Sequence, residues 1–132
     1  MASIFSKIIS GEIPAYKLAE NEDFLSFLDV NPLCAGHALV IPKKEVDWIF
    51  DMEDQDLSQL HIFSKKVALG IKATVPCIKV GVAVIGLEVP HAHIHLVPMN
   101  KIGDLNFAGP RAQFTAEEFK SLAEKISSNI VL

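Results

Sequence analysis

From His91 to Leu96 polar and apolar residues alternate one for one, as His, Ala, His, Ile, His and Leu. A period of two is the pattern of a half-buried β-strand, and no helix face accommodates it. On such a strand His91, His93 and His95 share one face, and Ala92, Ile94 and Leu96 point the other way into an apolar layer. The end histidines then lie roughly 13 Å apart. Three of the five histidines of the chain thus line one short track. Plain surface alternation gives no reason to choose imidazole three times.

The strand, expected over residues 91–97, needs partners, and the rest of the chain supplies them. Residues 16–19 and 24–28 read as short strands joined by a hairpin loop, in which Asn21 and Asp23 are turn formers. Asn31-Pro32 opens a loop to Gly36, and His37 starts a strand that Pro42 closes. Residues 78–85 are rich in β-branched side chains, and Gly81 among them points to a bulge or a close approach. Residues 53–73 carry Leu57, Leu60, Phe63, Ser64, Val67, Ala68 and Ile71 at near-helical spacing. A shorter amphipathic helix is expected over 3–10. Another, over about 115–129, opens with the capping box Thr115-Ala116-Glu117-Glu118. Strands, helix, strands, helix make an α+β fold with a largely antiparallel sheet. With 132 residues and no linker, repeat or charge block, residues 1–132 form a single domain.

Hydrophobic residues are 50% of the chain and charged ones 21%, which excludes a disordered chain. A net charge of −4 argues against a broad nucleic-acid surface. No apolar run reaches the roughly 18 residues that span a bilayer, and the N-terminus lacks the features of a signal peptide. The two cysteines, Cys34 and Cys77, have no metal-site spacing and fit a reducing cytoplasm.

A histidine track supports more than one chemistry. An imidazole can attack phosphorus and form a phosphoramidate that water later cleaves, while its neighbours donate hydrogen bonds to phosphate oxygens. That scheme requires no metal and no cofactor. Two of the histidines can instead bind a metal ion, with a third ligand drawn from Cys34, Cys77, His37 or Asp29. Periodicity leaves both readings open.

His-x-His-x-His followed by two apolar residues resembles the defining motif of the histidine triad (HIT) superfamily. The likeness extends to Ile4-Phe5-Ser6-Lys7-Ile8-Ile9, Gly11-Glu12-Ile13-Pro14, Phe27-Leu28-Asp29, Gly36-His37, Leu39-Val40-Ile41-Pro42-Lys43-Lys44 and Gly86-Leu87-Glu88-Val89-Pro90. It covers about residues 3–100 and is similar to the Hint branch of small bacterial proteins. It implies an antiparallel sheet with two main helices and a homodimer joined into a larger sheet. It also implies hydrolysis or transfer at the α-phosphorus of purine nucleoside phosphoramidates or related adenylates. By the same resemblance His93 is the nucleophile, His95 and His91 flank it, and His37 packs beside the triad. Asp29 would hold the ribose hydroxyls; Phe5, Ile8, Phe27, Leu28 and Val30 would wall the base; Gly86 and Glu88 would complete the nucleotide-binding set. A dinucleoside polyphosphate hydrolase, a non-catalytic nucleotide-binding module and a metal-dependent, cupin-like hydrolase are the alternatives.

Five positions depart from the family pattern, in three ways. Ser3 and Ser6 stand where many bacterial relatives carry two zinc-binding cysteines, so no such zinc is expected. Val80 and Leu87 replace amide side chains that would contact phosphate and ribose. Glu88 stands where some relatives have a serine that helps the leaving group.

Overall fold

The computed structural model describes residues 2–132. Helix α1 (Ile4–Ser10) is followed by strands β1 (Lys17–Glu20), β2 (Phe24–Leu28) and β3 (Ala38–Pro42), then by the long helix α2 (Asp54–Thr74). Strands β4 (Lys79–Ala83) and β5 (Ile94–Met99) come next, and helix α3 (Ala116–Ser128) closes the chain. The five strands form one antiparallel sheet in the order β1-β2-β3-β5-β4. The α+β class expected from the sequence is thus the class observed.

Local chemistry sets the ends of the elements. The Asn21 side-chain oxygen accepts from the Asp23 and Phe24 amides and closes the β1–β2 hairpin. Ser3 caps α1, and Gly11, at φ 87°, ends it in the left-handed conformation. The Thr115 hydroxyl accepts from the Glu118 amide while the Glu118 carboxylate accepts from the Thr115 amide, so the expected capping box is present at α3.

Alternation along the strands sorts side chains into two clusters on opposite faces of the sheet. One face packs Leu28, Val40, Ala92, Ile94 and Leu96 against Leu60, Phe63, Val67 and Ile71 of α2 and Phe119 and Ile126 of α3. Each large apolar side chain fully buried there stabilises the fold by about 2 kcal/mol. The other face carries Leu25, Phe27, Leu39 and Ile41, covered by Phe5 and Ile8 of α1. It is the face that bears the histidines.

Two strands are shorter than expected. β5 begins at Ile94 rather than His91, because the β3 ladder ends at the Val40–Ile94 pair. Pro42 has no amide to donate, and its carbonyl accepts from the His91 ring at 2.7 Å instead of from a strand. β4 ends at Ala83 rather than Ile85, and residues 84–86 have left the ladder. The β4–β5 register is continuous through Gly81, so no bulge is present. The close approach is made by the Met99 thioether, which occupies the space of an absent Cβ.

Candidate functional site

The site lies on the α1-covered face, where β5 and the irregular segment before it carry the three histidines. His91 is fully buried, and His93 and His95 are nearly so. Fixed donors and acceptors around the rings assign their tautomers, because a neutral imidazole has one N–H and one lone pair.

A carbonyl can only accept. His93 Nδ1 lies 2.7 Å from the His91 carbonyl oxygen, so Nδ1 bears the proton and the Nε2 lone pair of neutral His93 is unused. His91 Nε2 lies 2.7 Å from the Pro42 carbonyl oxygen and donates to it, and the Ser3 hydroxyl donates to His91 Nδ1 across 2.8 Å. An amide can only donate. The Leu33 amide lies 2.9 Å from His37 Nδ1, so His37 carries its proton on Nε2. That proton is donated to His95 Nδ1 across 3.0 Å. His95 therefore holds its own proton on Nε2. A nitrogen lone pair and a donor N–H thus come from rings whose centroids are 5.0 Å apart.

Burial favours the neutral rings this pattern requires. It pushes His95 down to about 3, helped by neighbouring His93, His37 and Arg111. It pushes His37 down to about 4, with Asp29 opposing and Arg111 assisting. His91 is lowered by burial too, against the pull of the Pro42 carbonyl and Glu45.

The remaining expected residues are distributed unevenly. Phe5 meets His93 edge-on at 5.0 Å and His91 at 5.7 Å, and it packs with Phe27 and Ile8. Leu28 is a correction to the expected base wall, since strand alternation turns it to the α2 face. Asp29 accepts from the Asn31 amide at 2.8 Å with one oxygen, and its other oxygen lies 3.5 Å from His37 Nε2. Val30 is 68% exposed. Gly86, at φ 73°, and the exposed Glu88 belong to the loop that leads into the triad, whose Leu87 is 89% exposed. Val80 packs against the α2-side core. His61 is exposed on α2 and bonds to the Leu57 carbonyl.

Two contributors came without a sequence signal. Phe107 packs edge-on against His95 at 4.7 Å and His37 at 6.0 Å. The Arg111 guanidinium, 5.6 Å from the Phe107 ring centroid, donates to the Phe107 and Asn31 carbonyls. The segment that bears them has no periodicity, so only the folded chain brings it to the histidines.

Asp29, His37 and His95 bring three ligand atoms within 4.8 Å of one another, the arrangement a metal-dependent hydrolase would need. The two nitrogens, however, are already joined by the His37 proton. Neither ring has to bind an ion to be satisfied.

The HIT domain profile matches residues 10–102. The chain is 36% identical over 132 residues to adenosine 5'-monophosphoramidase hnt1 of Schizosaccharomyces pombe, with 98% of this chain and 99% of that protein covered. Its fold matches that of a Hit-like protein involved in cell-cycle regulation from Bartonella henselae, with a TM-score of 0.83 at 26% identity. That match covers 97% of this chain and 96% of the other. A zinc-bound histidine triad family protein from Mycobacterium smegmatis matches with a TM-score of 0.80 at 26% identity, over 97% of this chain and 95% of that one. The N-terminal cluster here does not fit zinc. Ser3 and Ser6 offer neutral hydroxyls in place of thiolates, and both are engaged in hydrogen bonds with His91 and Glu45.

Proposed function

The chain belongs to the HIT family, and we propose that it hydrolyses purine nucleoside 5'-phosphoramidates or related adenylates through a nucleotidyl-His93 intermediate. The observation that carries this reading is the tautomer pattern, which leaves the His93 Nε2 lone pair free beside the His95 Nε2–H. The activity named for the yeast relative supports the same substrate class.

In this mechanism His93 Nε2 forms a bond to the α-phosphorus as the bond to the leaving group breaks, its electron pair departing with that group; a leaving amine takes a proton from solvent and departs neutral. The His93 ring gains positive charge while Nδ1–H still donates to the His91 carbonyl, so that bond strengthens in the transition state. The His95 Nε2–H donates to a phosphate oxygen. Water then cleaves the P–N bond, releasing the nucleoside monophosphate and free His93. The free Asp29 oxygen is the acceptor for the ribose hydroxyls, and Phe5, Ile8 and Phe27 supply the apolar wall for the base.

A homodimer completes this reading. β4 lies at an end of the sheet order. Val82, Val84, Ile85 and Leu87 are exposed on and beyond it, as are Ile62 and Leu69 of α2. An apolar edge strand of this kind is an invitation to pair. No helix among the described residues is long and apolar enough to cross a membrane; a cytoplasmic setting belongs to the proposal.

Steady-state hydrolysis of adenosine 5'-phosphoramidate tests the reading, with wild type and His93→Ala compared in the presence of EDTA. Chelator-resistant turnover that falls at least about 1,000-fold in the variant is expected. Wild-type turnover abolished by EDTA would restore the metal-dependent alternative.

A further inference from the structure

His91 orients His93 through its backbone carbonyl, so whatever holds His91 also sets the aim of the His93 lone pair. The ring of His91 is fixed at both ends. Nε2–H donates to the Pro42 carbonyl, and Nδ1 accepts from the Ser3 hydroxyl. Ser3 is held in turn. Its hydroxyl oxygen accepts from the Ser6 amide at 3.0 Å, which places it at the N-cap of α1. Its own amide donates to Glu45 Oε1 at 2.6 Å, and the Ser6 hydroxyl donates to the same oxygen at 2.8 Å.

Glu45 follows β3 by three residues and is 42 residues from Ser3 in sequence. The two donors hold its carboxyl down at about 2, the Ser3 amide contributing most. It is therefore an anion throughout the neutral range and engages two donors, one on the N-cap and one in the first turn of a seven-residue helix. That helix also carries Phe5, whose ring meets both His91 and His93. One oxygen of an exposed carboxylate thus fixes the hydroxyl that donates to His91 Nδ1 and the helix that walls the nucleophile.

We propose that Glu45 is a positioning residue for His93, acting through Ser3 and His91 by clamping the N-terminus of α1. Glu45 touches neither substrate nor reacting atoms. It acts through hydrogen-bond geometry, so a neutral acceptor of the same shape preserves the effect. This inference rests on the proposed role of His93, and the experiment separates the two.

Glu45→Ala and Glu45→Gln are compared with wild type in single-turnover formation of the nucleotidyl enzyme from adenosine 5'-phosphoramidate. Binding of AMP is measured alongside, as are the ¹⁵N resonances of the histidine rings. Glu45→Ala is expected to slow adduct formation about 10- to 100-fold with AMP affinity within about threefold of wild type. The His91 Nδ1 resonance is expected to shift towards the value of an unbonded nitrogen. Glu45→Gln, whose amide oxygen accepts from the same two donors, is expected to stay within about threefold of wild type. An unchanged rate in Glu45→Ala, or a Gln variant as slow as the Ala variant, would overturn the inference. Absence of turnover in the wild type would count against the His93 mechanism instead. The clamp would then stand or fall on whether Glu45→Ala moves the His91 resonance.

Discussion

Each histidine of the site is defined by a partner that can act in only one sense. The Leu33 amide, the Pro42 carbonyl and the His91 carbonyl assign the tautomers of His37, His91 and His93, and His37 then assigns that of His95. The alternation of the triad was legible in the sequence, because a period of two is written in adjacent residues. The tautomers were not, since Pro42 is 49 residues from His91 and His37 is 58 from His95. Phe107 and Glu45 lacked any local pattern for the same reason. A pH dependence follows from these assignments. His37 and His95 are held near 4 and 3, against about 6.5 in the unfolded chain. Below pH 6.5 the unfolded state therefore binds more protons than the folded one, so stability falls as pH falls towards 4. Glu45, Glu20 and Asp104 are shifted downward and contribute losses only below the usual carboxylate range, so the window from 6.5 to 5 belongs to the histidines. Chemical denaturation at pH 7 and pH 5 should show a loss on the order of 2 to 4 kcal/mol at the lower value. Equal stability at both would contradict the neutral, buried pair.

At the level of elements, sequence signals worked where they were local. The capping box at Thr115, the helical stripe from Leu60 to Ile71 and the turn chemistry of Asn21 each depend on residues within a turn or two, and all three appear in the fold. The extent of β5 failed because a strand needs a partner, and β3 runs out of donors at Pro42. Leu28 failed as a wall of the site for a related reason: once Phe27 faces the histidines, its neighbour faces α2. The α3 cap provides an independent check. Thr115→Ala removes the hydroxyl half of the box and should cost about 1 kcal/mol, read as a drop of a few degrees in Tm. Catalysis should be unchanged, because α3 packs on the face of the sheet away from the histidines. A loss of turnover without a loss of stability would show that the two faces are coupled.

For the whole molecule, the sheet divides the labour. One face is a core closed by α2 and α3, and the other is a thin shelf on which α1 and residues 107–111 frame the triad. The class of fold could be read from the order of strands and helices, but no single chain's pattern specifies what covers an edge. β4 leaves Val82 56% exposed at that edge, and the proposed homodimer buries it. Light scattering on wild type should give twice the monomer mass. Val82→Lys should shift the protein to a folded monomer, because burying an unpaired ammonium costs several kcal/mol. A monomeric wild type, or a variant that remains fully dimeric, would place the partner surface elsewhere.

Covalent catalysis by His93 is the claim from which the rest of the mechanism follows. Intact-mass analysis of enzyme quenched within its first turnover of adenosine 5'-phosphoramidate tests it most directly. A nucleotidyl adduct located on His93 in the wild type and absent from His93→Ala is the predicted result. Turnover that proceeds with no adduct, or an adduct that persists in His93→Ala, would contradict it.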